Sequence, residues 1–169
     1  MIDEPAYISE MQALIRSAFG AMTTQHPDAE IYTISIWTDE RTRKSAVSFD
    51  TFAHSQAMCR AENATWQQLR ERFVYEGDDR RLSLVPSDKL RNNNPADFEF
   101  PKIAISDNAS LNALIVCDDQ AWRMLDRLLE QIKQWAARES ACLNLHPDAE
   151  LGVNGRNTWY GNAIKIPAT

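Results

Sequence analysis

The chain has 169 residues, 44% of them hydrophobic and 25% charged, with a net charge of −6. These values fit one ordinary globular domain spanning 1–169 and exclude a disordered or collagen-like chain. The acidic balance, with no basic stripe, argues against a nucleic-acid interface, and the longest apolar run, Ala113 to Cys117, is far short of the ~18 residues of a membrane span.

Taken in chain order, residues 5–24 read as an amphipathic helix. Ile8, Met11, Ile15, Ala18 and Met22 recur at three- and four-residue steps, and Asp3, Glu4 and Pro5 suit a helix start. Ile31 to Trp37 is β-branched and aromatic and reads as a strand, with a polar connection at 38–44 and a partner strand at 45–49. Asp50 is placed to cap a helix over 51–62. Thr65 with Gln68 has the capping-box pattern of a second, short helix carrying Trp66, Leu69 and Phe73.

Further on, 73–76 and 82–85 read as short strands separated by Gly77-Asp78-Asp79. Asn92 to Pro95 is a loop, and 98–105 is an extended segment that Pro101 places at a sheet edge. Residues 111–117 fit a buried strand or a helical segment, with strand favoured. The widest apolar stripe follows Asp118-Asp119: Trp122, Leu125, Leu129, Ile132 and Ala136 predict a helix to about Arg138, with Arg123, Arg127, Glu130 and Lys133 on its wet side. Leu143 and Leu145 suggest a late strand. An irregular tail begins at about 152, with Ile164 and Ile166 alternating as an edge strand. The pentapeptide His26 to Glu30 recurs at His146 to Glu150, and both copies read as turns built on Pro and Asp. Together the elements predict an α+β fold: a mostly antiparallel sheet with long N-terminal and C-terminal amphipathic helices packed on it.

Signatures of chemistry are sparse. Gly152 to Gly155 lacks the lysine and third glycine of a phosphate loop, and the three histidines have no metal-ligand spacing. Cys59, Cys117 and Cys142 form no C-x-x-C pair and read as small core residues, although a thiol–imidazole pair with His26 or His146 through space stays open. No catalytic residue, metal or cofactor is therefore expected. The start of the chain lacks the basic and apolar stretches of a signal peptide, so a cytoplasmic protein is expected. What remains is a set of aromatics beside carboxylates at predicted strand ends: Trp37 with Asp39 and Glu40, and Tyr75 with Glu76 and Asp78. They read either as solvated turns or as anchors for a basic protein partner.

Several motifs also carry a resemblance. A strand from Tyr32 ends in Thr38-Asp39. Trp66, Phe73 and Tyr75-Glu76-Gly77 follow, and Leu143-Asn144 comes late. Best over residues 6–80, this pattern resembles a family of small bacterial domains of uncharacterised function found in loci of polymorphic toxins and their immunity proteins. It departs from the family at Phe73, where a second Trp is common, and at Leu145, where Pro is common. The resemblance implies no enzyme activity and no catalytic residue. It implies an immunity protein that binds and occludes a cognate toxin domain. An enzyme of unfamiliar type using a carboxylate cluster or Cys/His, and a structural subunit of a larger assembly, are the alternatives.

Overall fold

The first helix, α1 (Glu4–Gln25), starts at a side-chain cap: the Asp3 carboxylate accepts the Ala6 N–H at 3.2 Å, leaving Pro5 in the first turn, where its missing N–H costs nothing. The structure is a computed structural model describing residues 2–111, 119–154 and 161–167. After α1 come β1 (Ile31–Asp39), β2 (Lys44–Thr51), α2 (Phe52–Glu76), α3 (Asp79–Leu82), β3 (Phe100–Asp107), α4 (Asp119–Glu139), β4 (Leu145–Val153) and β5 (Gly161–Lys165). The described residues form two compact units: Met1–Phe52 with Asn93–Thr169, and Ala53–Asn92.

The larger unit holds one five-stranded sheet in the order β3-β2-β1-β4-β5. The α+β class is as expected, but the sheet is mixed rather than mostly antiparallel. β1 pairs with β2 antiparallel and with β4 parallel. A parallel neighbour requires a long crossover, which leaves no local turn signal to read. α1 packs over β2 and β3, and α4 packs against α1 and β4. Tyr7, Met11 and Ile15 of α1 meet Ile34, Ile36 and Phe49 of the sheet in one apolar core with Leu125 and Leu128 of α4. Phe49 is fully buried, so its truncation to alanine would cost about 3–5 kcal/mol.

Edge positions follow the expected chemistry. Pro101 lies in the edge strand β3, where a residue without an N–H is tolerated. Ile164 lies in the opposite edge strand β5. The tail is therefore less irregular than expected, because β4 runs to Val153 and β5 resumes at Gly161. The second His-Pro-Asp copy is not a turn between elements. It lies inside β4, where the register against β1 jumps from Ile31↔Leu145 to Thr33↔Glu150. The inserted residues bulge because Pro147 cannot donate to the ladder; the Asp148 N–H is satisfied by His146 Nδ1 at 3.0 Å instead. Of residues 111–117, only Leu111 is described, and it is fully buried. The rest of that expected strand lies outside the described residues.

In the smaller unit the expected helix–helix–strand–strand series is replaced by one long helix and a return. α2 runs unbroken for 25 residues. Thr65 does not cap: its hydroxyl donates to the Ala61 carbonyl at 3.1 Å, one turn back. No Gly or Pro interrupts residues 53–76, so nothing stops the helix before Gly77. There the Asp78 N–H bonds the Phe73 carbonyl at 2.9 Å and the Gly77 N–H bonds the Val74 carbonyl at 3.2 Å. This is a Schellman stop, and Gly77 has the positive φ of 66° that it requires. The expected strand at 73–76 is thus the last turn of α2. The one at 82–85 is the end of α3 and the turn after it.

Candidate partner-binding site

The six residues singled out in the sequence fall into two trios, one on each unit. Trp37, Asp39 and Glu40 sit together at the end of β1 and in the β1–β2 turn. Tyr75, Glu76 and Asp78 sit together at the end of α2.

The first trio is built on a buried polar network. The Tyr7 and Thr38 hydroxyls lie 2.8 Å apart, Thr38 and Ser45 2.7 Å apart, and Asn108 Nδ2 donates to Ser45 at 2.8 Å. Asn154 holds the Thr38 backbone from the other side, accepting its N–H at 2.7 Å and donating to its carbonyl at 2.8 Å. Beyond this anchor the turn closes through Asp39, whose carboxylate accepts the Arg41 and Thr42 N–H groups at 2.9 and 3.3 Å. Arg43 supplies the left-handed residue, with φ 55°. Partial burial pushes the Asp39 carboxyl up, but the bonds from Thr42 and Arg41 outweigh it and hold the group below its ordinary value. Glu40 is partly buried and 3.8 Å from Arg41. Trp37 is half-buried, with the Lys102 ammonium 5.7 Å from its ring centre. The Asp39 carboxylate is thus engaged in forming its own turn.

In the second trio, Glu76 pairs with Arg72 at 2.7 Å, one turn back on α2. Asp78 caps α3 by accepting the Arg81 N–H at 3.0 Å. Tyr75 is different: it is 93% exposed. Around it in the sequence of the smaller unit, Val74, Leu84 and Leu90 are also exposed, at 64%, 74% and 82%. Trp66, Leu69, Phe73, Leu82 and Val85 are half-buried, and the only apolar residue fully buried in this unit is Cys59.

Several polar bonds tie the return segment to α2. Arg70 reaches the Pro86 carbonyl at 2.9 Å and Asp88 at 2.7 Å. Lys89 pairs with Glu62 at 2.8 Å, and the Ser55 hydroxyl accepts the Asn92 N–H at 2.9 Å. Val74, Tyr75, Leu84 and Leu90 are left facing water. Val74 and Leu84 were missed by sequence reasoning because each lay in an expected strand, where alternate side chains are buried; Leu90 lay in no expected element.

The charge is divided unevenly. Residues 53–92 carry seven Lys/Arg against six Asp/Glu, a net +1, so the acidic excess belongs to the larger unit. The arm offers apolar and aromatic surface without a strong sign.

Other groups with chemical potential are less well placed. A crevice of about 240 Å³ brings His26 and Cys142 into one lining. Burial, with a contribution from the Glu139 carboxylate, pushes the Cys142 thiol up, away from the thiolate a nucleophile needs. Cys142 is exposed, contrary to the core position expected for it, because it ends a 3-10 turn after α4; Cys59 is buried as expected. Among the described residues no His, Cys, Asp and Glu side chains group as a metal site. No described helix is long and apolar enough to cross a membrane.

No family model, curated protein or solved structure matches the chain.

Proposed function

We propose that this is a binding protein of the immunity type, acting in the cytoplasm by docking on a cognate bacterial toxin domain and covering its active site. The observation that carries the reading is the helical arm of residues 53–92, which leaves Tyr75, Val74, Leu84 and Leu90 in water. An unburied aromatic, here with exposed Val74 next to it in the chain, is the kind of anchor that binding hot spots use. The resemblance of residues 6–80 to domains of toxin–immunity loci supplies the class of partner. Tyr75 is the anchor in this reading. Glu76 and Asp78 flank it, while Trp37, Asp39 and Glu40 offer a second, acidic contact suited to a basic toxin. Co-expression with the toxin encoded beside it tests the reading. A stable complex on gel filtration, together with loss of toxin activity, is expected; two separate species at micromolar concentration would refute it.

A further inference from the structure

α4 and the edge strand β5 enclose an open groove of about 440 Å³, within the size range of ligand sites. Ala137, Ala141 and Ile164 give it an apolar lining, and Arg138 and Lys165 add positive charge. Lys165 is engaged with Asp148 at 2.7 Å, whereas exposed Arg138 has no ion-pair partner among the described residues.

The strand beside the groove is prepared for pairing. The Ile166 N–H is turned inward, onto the Ala149 carbonyl at 2.9 Å. Hydrogen-bonding direction alternates along an antiparallel strand, so Ile164 also faces β4, in register with Leu151. Ala163 and Lys165 then direct their N–H and C=O groups outward. Among the described residues no strand lies on that side. At the head of β5 the buried Lys133 ammonium holds the Asn162 carbonyl at 2.6 Å, and Asn162 takes a left-handed φ of 49°. The register slips by one residue there, between Leu151 and Val153. The ammonium thus ties the head of β5 to α4.

We propose that this groove binds an extended acidic peptide segment of a partner protein, which adds to the sheet as a strand beside β5. Its backbone would pair with Ala163 and Lys165, its alternate apolar side chains would enter the groove over Ala137 and Ile164, and its carboxylates would meet Arg138. An edge supplies affinity through main-chain bonds, an apolar groove selects side chains, and the Arg138 guanidinium selects the sign of charge. The proposal is independent of the role given to the helical arm, which is carried by the other unit.

The test uses the full chain and a fluorescein-labelled Val-Thr-Val-Thr-Val-Asp-Asp peptide, with two controls: the same peptide ending in two lysines, and an acidic version N-methylated at alternate amides. Saturable binding of the acidic peptide is expected, about tenfold or more tighter than either control. Arg138→Glu should remove the preference for acid. Ala141→Trp, at an exposed position, should fill the groove and abolish binding without altering the circular dichroism spectrum. Absence of saturation, equal binding of the N-methylated peptide, or binding that survives Ala141→Trp would each overturn the proposal.

Discussion

Asn63 grips the backbone of Lys89: its Nδ2 donates to the Lys89 carbonyl at 2.8 Å, and its Oδ1 accepts the Lys89 N–H at 2.7 Å. One side-chain amide thus does what a neighbouring strand would do for that peptide unit. It ties the return segment to α2 by two polar bonds, and helps to account for a small unit that keeps its shape while Leu84 and Leu90 stay in solvent.

The first prediction comes from this pair. Asn63→Ala removes both partners of the Lys89 peptide unit, at about 1–2 kcal/mol in local stability. Trypsin cleavage after Lys89 and amide exchange at Lys89 should both accelerate by about tenfold, while exchange at Ile34 in the other unit stays unchanged. Unchanged cleavage would mean that the other polar bonds hold the segment alone.

A second prediction concerns Tyr7. Its hydroxyl is wholly buried, and that burial holds the phenol far above its ordinary value, partly offset by the hydrogen bonds of Thr38 and Ser45. In the unfolded chain a tyrosine ionises near pH 10, whereas the folded protein keeps this proton. The unfolded state therefore releases a proton that the folded state retains, and stability must fall as pH rises above about 10. Tyr7→Phe should cost about 1–2 kcal/mol at neutral pH by removing the buried hydroxyl that bonds Thr38 at the end of the Thr38–Ser45–Asn108 network. It should also flatten the alkaline decline in Tm. A variant with the wild-type alkaline slope would contradict the assignment.

The reach of sequence reading can be judged from particular residues. The 3.6-residue period located α1 and α4, because burial follows it there; β1 and β2 were legible from their β-branched and aromatic composition, and both are buried on both faces rather than alternately. Lys133 shows the limit: placed on the wet side of α4 by its type, it is 3% exposed, its long stem buried and its ammonium bonded to Glu130 and Asn162 at 2.6 Å. Residues 73–76 and 82–85 misled for a different reason. Their β-branched and aromatic side chains suggest strands, but an uninterrupted helix had no breaker before Gly77, and no strand is there to pair with them. The parallel partner of β1 was illegible because pairing between Ile34 and Leu151 depends on a crossover of over a hundred residues. Of the candidate site, Tyr75 was found as an aromatic beside carboxylates. Its exposure follows only from the helical geometry.

Lys133 also yields a prediction. Lys133→Met keeps most of the buried stem but withdraws the donor from the Asn162 carbonyl. Amide exchange at Ile166, which bonds Ala149, should rise by about tenfold, with little change at Ile36 in the centre of the sheet. Equal protection at both sites would show that the ammonium is not what fixes the head of β5.

The central claim is that the exposed apolar arm carries the partner interaction. The most direct measurement is calorimetric titration of the co-encoded toxin domain into the wild-type chain and into Tyr75→Ala. Tyr75 makes little use of its exposed ring within its own fold, so the substitution should leave the Tm within about 1 °C. It should still weaken binding by about thirtyfold or more, the loss of about 2 kcal/mol expected of an aromatic hot spot. An affinity equal to that of the wild type would contradict the account.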